Sequence, residues 1–192
     1  MRPIDRKEIL PLDEYERIRE HFRGRVIEEK KIRRVMLGDH LSAVFENRDT
    51  VFLQIQEMLR TERITTEAAI LHELETYNAL VPKDNELKIT LFVEIADKEL
   101  RDRMLTELAG LEDKIFIEIA GARFSAEGHR EGAEATRTTA VHYLTVKLDA
   151  QAAEVVRRGK GPAALGVVHP KYEVCAVLKP GLLQKLAEDE LG

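Results

Sequence analysis

Asn47, Gln56, Glu57, Arg60, His142 and His169 are the residues of this chain whose types and settings could do chemistry. Glu57 or His142 could move protons, and a histidine can also ligate a metal. Arg60 presents a planar fork that can hold an anionic group through two hydrogen bonds. Asn47 and Gln56 would act as hydrogen-bonding supports. Each has a plainer reading. His142 lies on an apolar strand face, where a lone histidine is more often a core residue with its nitrogens hydrogen-bonded. His169 precedes Pro170 at a turn, where it is expected to be exposed. His142, His169 and Glu57 could supply three ligands, but their spacing carries no metal signature. A metal site is not expected. The chain has no HExxH, CxxC, Walker loop, GxSxG, or GxGxxG after a strand. Cys175 shows no nearby cation or helix start that would activate it.

Residues 45–63, FENRDTVFLQIQEMLRTER, must position the central group. Val51, Phe52, Ile55, Met58 and Leu59 recur at helical spacing and predict one apolar face, with Asp49 or Thr50 as the cap. Gln56, Glu57 and Arg60 lie roughly opposite, with Gln56 and Arg60 one turn apart. Leu53 among them leaves two readings: a solvated face with a stray leucine, which is the plainer one, or a second face that is at least partly covered. Covered charges need partners, so on the second reading Glu57 and Arg60 are expected to pair with each other or with groups from elsewhere in the fold.

Around this helix the pattern is mixed. Residues 2–12 form a polar lead-in. Tyr15, Ile18 and Phe22 mark a first helix capped by Asp13 and weakened at Gly24. It is followed by a basic run, Lys30, Lys31, Arg33 and Arg34, which is either a solvated helix end or a site for phosphate or an acidic partner. A hairpin turning on Gly38-Asp39 feeds residue 45. A helix over 66–77, with Thr65 or Thr66 as cap, ends before Pro82. Residues 87–95 alternate strictly and predict a strand with one buried face. Further strands are expected over 115–119, 123–126, 138–148, 164–168 and 172–178. Asp97 and Asp149 cap intervening helices, and a short helix follows Pro180-Gly181. Residues 127–137 carry no hydrophobic pattern and are expected to be the most mobile internal segment. The fold class is therefore α+β: a mainly antiparallel sheet with helices packed on one face, in one domain over 1–192.

Composition narrows the setting. Of 192 residues, 44% are hydrophobic and only 5% aromatic, so an aliphatic core is expected. The net charge of −5 argues against a general nucleic-acid binder. A single cysteine excludes an internal disulfide and fits a reducing compartment. No apolar run reaches the length of a membrane span, and MRPIDRKEIL lacks a signal-peptide core. The expected location is the cytoplasm.

The pieces RRVMLG, FENRDTVFLQIQEMLRTE, TYNALVP, AVHYLTVKL and GVVHPKY occur in order over most of the chain. With them the chain resembles an uncharacterised bacterial family of unknown function, DUF3501. The resemblance supplies no catalytic residues and no cofactor. It implies an oxidative-stress or electron-transfer setting, with rubrerythrin-like or iron–sulfur oxidoreductase proteins as associates. Two readings follow. One is a non-catalytic binding or accessory protein of a redox system, with a homo-oligomer allowed. The other is an enzyme or anion-binding protein built on Glu57, Arg60 and His142. Convergence of those three side chains in one pocket separates the two.

Overall fold

The computed structural model describes residues 1–128 and 136–191. Helix α1 (Leu12–Arg33) runs unbroken through Gly24, which lies on its exposed side with open space around it. Its cap position is Pro11 rather than Asp13, with no side-chain hydrogen bond to the first turn. Strands β1 (Arg34–Leu37) and β2 (Leu41–Phe45) form the expected hairpin, but Leu37 pairs with Leu41 and leaves a loop of residues 38–40, one longer than predicted. Helix α2 (Arg48–Thr61) is the central helix, and its cap is Asn47 rather than Asp49 or Thr50. The Asn47 side chain accepts from the Thr50 N–H, and the Thr50 hydroxyl accepts from the Asn47 N–H, both at 2.9 Å. Two first-turn donors are thereby satisfied reciprocally.

Helix α3 (Glu67–Asn78) leads to β3 (Glu86–Val93), the strictly alternating strand. Then come α4 (Lys98–Glu107), β4 (Ile115–Ile119), β5 (Ala122–Gly128), β6 (Val141–Lys147), α5 (Ala150–Arg157), β7 (Ala163–His169), β8 (Tyr172–Val177) and α6 (Pro180–Leu191). Asp97 and Asp149 cap α4 and α5 as expected. The segment expected to be mobile falls largely outside the described residues; Glu127 and Gly128 belong to β5.

The strands form one antiparallel sheet in the order β1-β2-β3-β6-β5-β4-β7-β8. It curls until its two edges meet. The Tyr172 hydroxyl on β8 donates to the Leu37 carbonyl of β1 at 2.6 Å, bridging the seam that backbone pairing leaves open. Alternation then separates two cores. Leu87, Ile89, Leu91 and Val93 of β3 point into the first, inside the curl, where α4, α5 and α6 contribute Leu105, Val156 and Leu186. The second lies outside the sheet, where Val51, Ile55 and Leu59 of α2 meet Ile70 and Leu74 of α3 beside Tyr143 of β6.

In the basic run at the end of α1, Lys31 pairs with Glu28 at the surface, whereas the two arginines are internal wiring. Arg33 is only 1% exposed. It donates to Glu29 at 2.8 Å and to both Asp189 oxygens at 2.6 and 2.7 Å, tying α1 to α6. Arg34 donates to the Ser42 hydroxyl and to Glu94.

Candidate functional site

The polar face of α2 is covered, by α1 and the lead-in. Glu57 accepts from the Tyr15 hydroxyl at 2.6 Å and from Nε and Nη2 of Arg19 at 2.8 Å each. Hydrogen bonds from Arg19, working against the cost of burial, hold the Glu57 pKa below the ordinary glutamate value. Burial and the Glu57 carboxylate push the Tyr15 phenol up. Arg60 does not pair with Glu57: its Nε donates to Glu16 of α1 at 2.6 Å. Gln56 is fully buried and holds Leu10 from both sides, accepting from its N–H at 2.8 Å and donating to its carbonyl at 3.4 Å.

The two histidines lie elsewhere. On β6, His142 sits opposite Leu91, which points into the first core. Its neighbour Tyr143 faces the second core and α2. His142 and Glu57 are therefore on opposite sides of the sheet. The His142 Nε2 lies 3.0 Å from the Thr138 hydroxyl, which in turn reaches Glu112 at 3.4 Å. His169, expected to be exposed, is 8% exposed. Its Nε2 is 3.2 Å from the Ala109 carbonyl, and its Nδ1 accepts from the Lys171 N–H at 3.2 Å, so the ring clamps the β7–β8 turn onto the chain after α4. Among the described residues, no group of three or more His, Cys, Asp or Glu could hold a metal ion.

A different cluster is incomplete. Glu46, between β2 and the α2 cap, is 2% exposed. Its N–H donates to the Lys88 carbonyl at 2.8 Å, extending the strand pairing by one residue. Its Oε1 accepts from the Thr90 hydroxyl at 2.7 Å. Its Oε2 is buried with no hydrogen-bond partner. Glu46 lines a cavity of about 140 Å³ at the rim of the curled sheet. Phe45, Pro82, Leu87 and Leu186 supply apolar wall, and Asp84, Glu86, Lys88 and Asp189 supply polar wall. Glu86 Oε2 is likewise buried without a hydrogen bond, 3.4 Å from Lys88 Nζ, which donates to Thr145 at 2.8 Å. Burial first, and then the Glu46 charge, push the nearby Tyr143 phenol above its ordinary pKa.

A carboxylate oxygen inside a protein is costly unless a donor meets it. The cavity can therefore receive a group that donates. Sequence reasoning passed over Glu46, Glu86 and Lys88. The alternation of β3 places Lys88 and Thr90 on the face away from the first core, and that face reads as solvent-facing unless a second layer is known.

Residues 3–190 match the family described as "Protein of unknown function (DUF3501)". The chain is also similar to a crystal structure of a novel protein of unknown function from Burkholderia pseudomallei K96243. Identity is 34%, the TM-score is 0.92, and the alignment covers 98% of this chain and 99% of that one. No curated protein matches the chain.

Proposed function

The chain belongs to the DUF3501 family, and we propose that it is a binding protein whose small ligand occupies the cavity beside Glu46. The buried, unpartnered Glu46 Oε2 carries this reading. Glu57, Arg60, Asn47 and Gln56 lend it support of another kind, because each already makes contacts that hold α1, the lead-in or α2 in place. The test is thermal unfolding against a panel of small metabolites, for the wild type and for Leu186→Trp, which fills the cavity. A ligand present at about 100 times its Kd adds roughly 2.7 kcal/mol, which raises Tm by roughly 5–10 °C in a chain of this size. At least one compound should stabilise the wild type and leave the filled variant unchanged. Equal shifts in both proteins, or none in either, would remove the reading.

The finer setting is that of an accessory protein in a cytoplasmic redox system, with rubrerythrin-like or iron–sulfur oxidoreductase partners. It is supported by the family resemblance alone. Affinity purification of tagged protein from its own cells tests it: such partners should be recovered in stoichiometric amounts, and their absence would count against the association.

A further inference from the structure

We infer that the ligand of the Glu46 cavity is a protonated amine on a short carbon chain, an inference that rests on the cavity being a ligand site. The argument begins with what Glu46 still lacks. Thr90 occupies Oε1, so one carboxylate oxygen remains and it needs a donor. A guanidinium favours a carboxylate with both oxygens free, because its two parallel N–H groups bind as a fork. An ammonium is a compact charge with rotatable donors and fits a single oxygen.

Metal ions are the second class to weigh. Among the described residues no trio of ligating side chains is arranged for one. Water is the third. A cavity of about 140 Å³ exceeds the roughly 30 Å³ share of one water, and each buried water needs two to four polar partners. The polar wall of Glu46, Asp84, Glu86 and Lys88 can supply such partners, but Phe45, Pro82, Leu87 and Leu186 offer none from their side chains and suit a few methylene groups.

Charge points the same way. The cavity wall holds the carboxylates Glu46, Asp84, Glu86 and Asp189 against Lys83, Lys88 and Met1, whose ammonium donates to the Pro82 carbonyl at 3.2 Å. With Asp189 neutralised by Arg33 the wall balances overall, but the groups with buried atoms there are Glu46 and Glu86 against Lys88, and Glu86 Oε2 is a second buried oxygen without a hydrogen bond. An anionic ligand would meet these two buried oxygens unfavourably.

Calorimetric titration of the full chain with n-butylamine, sodium butyrate and magnesium chloride at matched ionic strength tests the inference. The wild type should bind n-butylamine and neither of the others. Glu46→Gln keeps the side-chain volume and an oxygen for Thr90 but loses the charge, and should weaken butylamine binding about 10-fold or more, as expected for a charge-assisted hydrogen bond. Leu186→Trp should abolish binding, and this arm stands even if Glu46→Gln fails to fold. Equal affinity in the wild type and Glu46→Gln, or preferential binding of magnesium or butyrate, would overturn the amine assignment. If amines fail while some other metabolite stabilises the wild type and not Leu186→Trp, the cavity remains a ligand site and only the amine inference falls. If nothing binds, both fall.

Discussion

At the residue scale, some charges are paired by the fold, whereas Glu46 and Glu86 each keep a buried oxygen without a hydrogen bond. Glu57 is among the paired. Glu57→Ala leaves the Tyr15 hydroxyl, on a residue with no exposed surface, without its acceptor. The expected loss is about 1–3 kcal/mol, as for a buried polar group left unsatisfied. Arg60→Ala breaks a half-exposed pair with Glu16 and should cost at most about 1 kcal/mol. Chemical denaturation of both variants, with a double-mutant cycle over Tyr15 and Glu57, checks the order. A larger loss for Arg60→Ala would reverse this account of the α1–α2 interface.

Glu8 gives a pH dependence. Burial works against its charge, but the Asp5 N–H, Arg48 and Arg2 together hold its pKa at about 2, against an ordinary 4.5. A depressed folded pKa contributes stability that is fully present above the unfolded value and is lost as pH falls. The window for Glu8 therefore runs from about 4.5 down to about 2. Acid titration should loosen the lead-in from α2 in that window, and Glu8→Gln should flatten that part of the stability curve. Hydrogen exchange across residues 3–10, followed against pH, measures it. An unchanged profile in Glu8→Gln would assign the acid transition to other carboxylates.

At the scale of elements, α2 lies between two partners. Its apolar side enters the second core and its polar side meets α1, which is why Leu53 sits among Gln56, Glu57 and Arg60 and is itself buried. Ile55 is fully buried, so Ile55→Ala should cost about 2–5 kcal/mol. Met58 is only half-buried, so Met58→Ala should cost clearly less. Denaturant midpoints of the two variants compare them, and equal losses would place Met58 deeper than its position indicates.

At the scale of the whole molecule, the seam between β1 and β8 is the place where the sheet could open. Tyr172 bridges it by donating to Leu37 and lies against Gly38, whose φ of +71° suits glycine. Tyr172→Phe removes the donor and should cost about 1 kcal/mol, with faster amide exchange confined to β1 and β8. Gly38→Ala should cost more, because the added Cβ meets the Tyr172 hydroxyl in a backbone conformation that alanine resists. Exchange spread evenly over all strands in Tyr172→Phe would mean that the seam is not a separate weak point.

The sequence by itself determined which segments are helices and which are strands, because hydrophobic period is a local property. The strict alternation of β3, the helical spacing in α2 and the caps at Asp97 and Asp149 were all legible. Cover over the polar side of α2 was only half legible, since Leu53 breaks the solvated pattern but a solvated face with a stray leucine was the plainer reading. Tertiary structure decided the partners. Whether Arg60 meets Glu57 or Glu16, or whether His142 faces α2, depends on how the sheet curls and which face each helix covers. Those contacts join residues far apart in sequence, as Arg33 and Asp189 do, and no local period encodes them. Glu46 stayed invisible for the same reason. On a strand end a glutamate reads as solvated, and only the loop after α3 together with α6 closes over it, leaving one oxygen buried beside a cavity and without a donor.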